Sequence, residues 1–338
     1  MRRMVRVAVS LAIAAYILAN EVTVSELAAI VSRARPGLLA LAVAIYLAGQ
    51  MLSALKWRML GRSVGFERSA ADYGRFYFIG MFFNLFGPST LGGDFVRGLY
   101  LADGRRPTMA LSSVLFDRMT GLVVLMALGS AALVLFPRYR FPWPVTAAVV
   151  AGGLALVIGW WMLPALVRLL PPHHRVRRRV EHDLAPFWRD RALLSGVALV
   201  SLVFHLSQVG LQFVLAQAVG VAIPLAYCLV FHPLMAALTA LPISVGGLGI
   251  REGGYLFFFS RVGASDVGAV AVGVTWWLVS LVGGLAGGLV FLASGARLPR
   301  LRMRHDDRPE RRGDEPYGVD VRASASVREI ATPSLPPA

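Results

Sequence analysis

Apolar runs separated by short polar, arginine-bearing stretches dominate the chain. Runs at 5–20, 36–55, 76–91, 108–136, 144–169, 192–219, 225–242 and 266–293 approach the length of a membrane-crossing helix, for which about 20 mostly apolar residues suffice. A shorter apolar fragment lies at 254–262. Residues 22–34 begin at a Thr/Ser cap and mix polar with apolar positions, which predicts a short helix lying at the interface. The first run follows Arg2, Arg3 and Arg6 but has no convincing small-x-small cleavage site, so an uncleaved first helix is expected.

Charge orients these runs. Arg2, Arg3 and Arg6, then Lys56, Arg58, Arg62, Arg68 and Arg75, then Arg97, Arg105 and Arg106, then Arg175 and Arg177–Arg179, then Arg297, Arg300, Arg302 and Arg304 all favour the cytoplasm. Both flanks of 76–91 therefore ask for the same side. Gly87, Pro88, Gly92 and Gly93 interrupt that run, so a hairpin that enters and returns is expected. The stretch 225–264 starts and ends on the other side, and Pro233, Pro242, Gly246, Gly247 and Gly249 break it. It predicts a second hairpin from the opposite face.

Composition agrees with a membrane solvent. The 338 residues are 57% hydrophobic and 16% charged, with mean hydropathy +0.63, against about 45–50% and about 25% in soluble domains. That excludes a disordered chain, a disulfide scaffold and a typical soluble enzyme. A net charge of +15 and pI near 11.1 do not indicate nucleic acid, because the arginines sit between apolar runs. One cysteine, Cys228, forms neither an intramolecular disulfide nor a Cys-based metal site.

The two breaks share one pattern. Residues 88–97 read P-S-T-L-G-G-D-F-V-R and residues 242–251 read P-I-S-V-G-G-L-G-I-R, both P-x-[ST]-x-G-G-x-x-x-R. The fold expected is an all-α polytopic membrane protein with inverted-topology repeats, about six full spans and two re-entrant broken hairpins. Repeat one covers about 5–136 and repeat two about 144–293, within a membrane domain 1–296. A cytoplasmic tail, 297–338, is expected to be disordered.

The segments FFNLFGPSTLGGDFVRGLYLAD (82–103) and LPISVGGLGIREGGY (241–255) resemble the hallmark motifs of the flippase-like, or lysylphosphatidylglycerol synthase transmembrane-region, family. The resemblance spans about 5–295. It implies translocation of a lipid with a phosphate or sugar head group in the inner (plasma) membrane, with both termini cytoplasmic. Members resemble the membrane half of enzymes that make and flip aminoacylated phosphatidylglycerol. About 44 residues follow the last span here, too few for the soluble synthase domain, so the resemblance implies translocation more than synthesis, with a separate lipid synthase as a possible partner whose existence is not legible.

Lipid-binding residues are expected at both motifs: Asn84, Pro88, Ser89, Thr90, Gly92, Gly93, Asp94 and Arg97 in the first, and Pro242, Ser244, Gly246, Gly247, Gly249, Arg251 and Glu252 in the second, with Asp117 and Arg118 beside them. A helix starting near Gly93 would offer free N–H groups to a phosphate, and Arg97 a bidentate partner. Arg97 and Arg251 would each grip the phosphate in a different access state. Equally, Asp94 and Arg97 could neutralise each other, and Asp117 and Arg118 could be a structural pair. Asn84 could bond free backbone carbonyls. His205, Gln208 and Gln212 share a helix face that suits interhelical hydrogen bonds or a polar pathway. His232 stands alone in the sequence. Gly283, Gly284, Gly287 and Gly288 predict a close helix contact, internal or dimeric.

No cofactor, metal, nucleotide motif or catalytic residue is expected. Two other readings stand beside transport: a membrane transferase using Asp94, Asp117 or Glu252, and a non-transporting scaffold of a lipid-synthesis complex. Lipid, direction, energy coupling and oligomeric state are not legible.

Overall fold

A computed structural model describes residues 24–86, 91–104, 106–240 and 249–295. Regular structure among them is entirely helical. The helices are α1 (Val24–Ser32), α2 (Pro36–Ser63), α3 (Ala70–Phe86), α4 (Leu91–Ala102), α5 (Pro107–Leu135), α6 (Trp143–Val167), α7 (Arg175–Arg179), α8 (Ala185–Arg189), α9 (Arg191–Ala218), α10 (Leu225–Ala240), α11 (Ile250–Ser260) and α12 (Asp266–Ala293). A π-helical turn, Val180–Leu184, joins α7 to α8. Five of these, α2, α5, α6, α9 and α12, are long and apolar enough to cross a membrane. The chain is an all-α, multi-pass membrane protein.

Helix starts follow local chemistry. Proline stands in the first turn of α2, α5 and α6, where its missing N–H has no intrahelical partner to lose. The Asp190 carboxylate accepts from Leu193 N at 2.9 Å to start α9, and Ser265 Oγ accepts from Gly268 N at 3.2 Å to start α12. The expected segments become helices with shifted ends. The run 76–91 is helix from Ala70 to Phe86, and the fragment at 254–262 belongs to α11. The expected first helix and tail fall outside the described residues, as do Pro88, Ser89, Thr90, Pro242, Ser244, Gly246 and Gly247.

Contacts order the helix ends. Arg35 N donates to Ala218 O at 2.9 Å, so the start of α2 meets the end of α9. The start of α3 and the end of α4 lie together at the opposite end of α2. There Arg68 pairs with Asp103 at 2.8 Å, and Arg106 donates to the carbonyls of Val64 and Gly65 at 3.1 and 3.2 Å. The start of α10 and the end of α11 also lie together, because Tyr227 Oη donates to Phe258 O at 2.6 Å. The α5–α6 connection joins them, with Tyr139 edge-on to Tyr227 and Arg261 over Phe141. Thus α3 and α4, 17 and 12 residues long, begin and end at one end of the bundle. The pair α10 and α11, 16 and 11 residues long, does so at the other.

Small residues permit the closest approaches. A Cβ on Gly93 would collide with the Gly80 carbonyl oxygen, so α3 and α4 touch backbone to backbone. The glycine stripe of α12 packs on α3: a Cβ at Gly287 would strike the Phe78 carbonyl, and one at Gly284 would meet Leu85. This contact is internal to the chain. Lys56 departs from its expected place in a charged loop: it lies within α2, 5% exposed.

Gly287→Ala should destabilise the protein by about 1–3 kcal/mol, because a carbonyl cannot retreat as a flexible side chain can. Gly159→Ala on α6, where nothing lies within 4 Å of the added carbon, should not destabilise it. Thermal unfolding in detergent checks the pair, and equal midpoints for the two variants would contradict this packing.

Candidate functional site: a buried charge network

Five ionisable side chains from α2, α4 and α5 meet inside the bundle. Lys56 Nζ lies 3.0 Å from Asp117 Oδ1 and donates to the Asp117 carbonyl at 3.0 Å. Arg97 Nη2 donates to Asp117 Oδ2 at 2.9 Å, and its Nε lies 3.1 Å from Asp94 Oδ1. Arg118 closes the chain with a forked pair to Asp94, Nε to Oδ2 at 2.7 Å and Nη2 to Oδ1 at 2.8 Å. The order Lys56–Asp117–Arg97–Asp94–Arg118 alternates sign and carries one excess positive charge.

Helix geometry explains the meeting. Lys56 is about two turns from the end of α2, and Asp117 is about 15 Å along α5 from its start. Both project inward at a depth where α4, too short to span, has its first turn. Asp94 and Arg97 sit one turn apart on α4, as the i,i+3 spacing predicts. Both readings of Asp94 and Arg97 bear on the result: they do pair, but within a larger network.

Burial is uneven. The side chains of Lys56, Asp94, Arg97 and Asp117 are 7%, 10%, 2% and 5% exposed, whereas that of Arg118 is 48% exposed. The Arg97 guanidinium lies between the rings of Trp57 and Tyr77, at 4.9 and 4.8 Å, and its buried Nη1 has no hydrogen-bond acceptor. Aromatic faces replace water for this cation. Arg118 is therefore the most exposed member of the network, and Arg97 is enclosed.

One donor at the start of α4 is already taken. Asn84 Oδ1 accepts from Gly93 N at 2.8 Å, so its amide oxygen serves a backbone N–H, while the carbonyls of the break that it was expected to meet lie outside the described residues. Asp94 is spent on the two arginines and does not cap the helix. Gly92 lies in the same first turn.

The second motif is simpler. Gly249, at φ +80°, precedes α11, a conformation glycine adopts without strain. Glu252 Oε2 accepts from Gly249 N at 2.7 Å, while its Oε1 takes the Arg251 guanidinium at 2.7 and 3.1 Å. Arg251 is 4% exposed and lies over Trp276 at 5.5 Å. Behind it, Tyr255 Oη donates to Gln212 Oε1 at 2.7 Å. His205 Nε2 lies 3.0 Å from the Gly121 carbonyl, in line with interhelical bonding. His232 is not alone: its ring is 5.9 Å from that of His205.

Lys56, Trp57 and Tyr77 were not anticipated. One signal was present: Lys56 is the only lysine among 34 basic residues. A compact, single-point ammonium fits between two helices where a planar guanidinium does not.

Among known families, residues 3–288 match the model described as Lysylphosphatidylglycerol synthase TM region. No curated protein and no solved structure matches the chain.

Asp117→Asn should cost about 3–5 kcal/mol, because it strands Lys56 and weakens the hold on Arg97 in an apolar setting. Adding Lys56→Met should recover part of that loss. A double-mutant cycle by thermal unfolding checks this, and simple additivity would contradict the coupling.

Proposed function

This chain belongs to the lysylphosphatidylglycerol synthase TM region family, and from that premise we propose that it carries an anionic phospholipid, an aminoacylated phospholipid or a glycolipid between leaflets. The single observation that carries the reading is the excess positive charge of the buried network, offered at the half-exposed Arg118. A buried cation in excess calls for an anion, and a lipid phosphate entering from the bilayer supplies it.

In this reading α3–α4 and α10–α11 are re-entrant hairpins facing opposite ways, centres of two inverted repeats with about six full spans. The paired helix ends support it, as do the matched motifs. Arg118 receives the head group, Arg97 and Lys56 fix the carboxylates that aim it, and Arg251 takes the equivalent place in the other access state. The hairpins rock against their partners while the acyl tails stay in lipid. The protein acts as a carrier and not as an enzyme. In support, both Asp94 and Asp117 are held by two cations each, so neither is free as a base. It sits in the inner membrane with termini in the cytoplasm, and a separate synthase provides any aminoacylated lipid.

Proteoliposomes carrying a fluorescent lipid in one leaflet test this. Phosphatidylglycerol, its aminoacylated form and a glycolipid are compared in turn. Wild type should move one of them, and Arg118→Gln should slow it about tenfold to a hundredfold, the loss of one charged hydrogen bond to phosphate. Undiminished movement by well-folded Arg118→Gln would overturn the proposal. Product formation by purified protein would favour a transferase.

A further inference from the structure

A second basic site, sharing no side chain with the charge network, lies where the end of α6 meets the π-helical turn and α8. A pocket of about 490 Å³ is lined there by Trp161 and Pro164 of α6, Arg168 just past its end, Glu181 of the turn, Trp188 and Arg189 of α8, and Arg191 at the start of α9. That volume suits a small ligand or a lipid head group.

Its charges are unbalanced. Glu181 is already held by Arg177 at 2.9 Å. Arg168, Arg189 and Arg191 have no side-chain hydrogen bond or ion pair among the described residues, although each lines the same cavity. Three guanidinium groups around one space repel one another unless an anion sits among them. Trp188 adds a buried indole N–H without an acceptor. A π-helical turn, a rare form that recurs at functional sites, carries one wall.

The setting tells which anion. The α6 face leading to the pocket is bare: Trp161, Met162, Leu166 and Leu169 are 60%, 48%, 45% and 81% exposed. Such a strip belongs in acyl chains, so the pocket opens where hydrocarbon meets head group. The seven arginines of residues 168–191 place it on the side that the positive-inside rule assigns to the cytoplasm. Basic pockets at that level bind anionic head groups.

We propose that this pocket is a binding site for the phosphate of an anionic phospholipid, held at the cytoplasmic surface as a fixed ligand and not as cargo. The lipid anchors α6, the span with least protein around it, to the segment that links the two halves of the chain. The site is independent of Arg118 and of translocation.

Native mass spectrometry of the full chain in neutral detergent tests it, with phosphatidylglycerol, phosphatidylcholine or inorganic phosphate added. Wild type should retain phosphatidylglycerol over phosphatidylcholine. Each arginine removed should weaken retention about fivefold, so Arg189→Gln/Arg191→Gln should lose about 25-fold. Arg168→Gln, just past the end of α6, should lose about fivefold and stands in if the double variant fails to fold. The same comparison made in an Arg118→Gln background, which takes the network's own head-group site out of the readout, separates this site from the translocation reading. Wild-type retention by the arginine variants would overturn the proposal. So would displacement of the lipid by millimolar inorganic phosphate, which would mark a site for free anions.

Discussion

Three cations and two carboxylates share one buried network among apolar helices, and the rest of the structure is arranged around that constraint. A charged group at a helix centre costs about 2.5–3.5 kcal/mol on insertion scales. Pairing reduces the cost only where geometry is good and remaining donors are met. Here α2 brings Lys56 and Trp57, α3 brings Tyr77, α4 brings Asp94 and Arg97, and α5 brings Asp117 and Arg118. The backbone contact at Gly80 and Gly93 lets α4 come close enough to α3 for the guanidinium of Arg97 to lie on the Tyr77 ring. Removing Asp117 leaves Lys56 without its partner, and removing Asp94 does the same to Arg118.

The two halves carry matching motifs but different electrostatics. In the first, the motif arginine is the middle of a five-member chain. In the second, Arg251 binds its own neighbour Glu252, which also caps α11. One centre therefore presents a net cation and the other a neutral pair. In the proposed translocation, a head group released from the first would meet a site without net charge at the second, which favours passage over retention.

Much of this was legible in the sequence, for stated reasons. Long apolar runs locate α2, α5, α6, α9 and α12, because a helix that faces lipid has no freedom to be polar. The ends of α3 at Phe86 and of α10 at Ala240 are legible because Pro and Gly follow each within a few residues. Lys56 was not legible as a network member: a basic residue near a span end counts toward topology, and only tertiary contact shows that it turns inward. The bond from Gly93 to Asn84 was not legible because an amide can donate or accept, and this partner lies across the break. The His205–His232 approach joins residues on two helices, which no local spacing encodes. The glycine stripe of α12 announced a close contact but not its partner, since a backbone-sized groove fits an internal helix or a second copy equally well.

The central claim is that Arg118 meets a lipid phosphate inside the bundle. Solid-state NMR can read this directly, as phosphorus-to-nitrogen proximity between lipid phosphate and arginine guanidinium in phosphatidylglycerol bilayers, taken as the difference between wild type and Arg118→Gln. The account predicts a phosphate-contacting guanidinium signal that is present in wild type and missing from the variant. Identical spectra from the two proteins would contradict it.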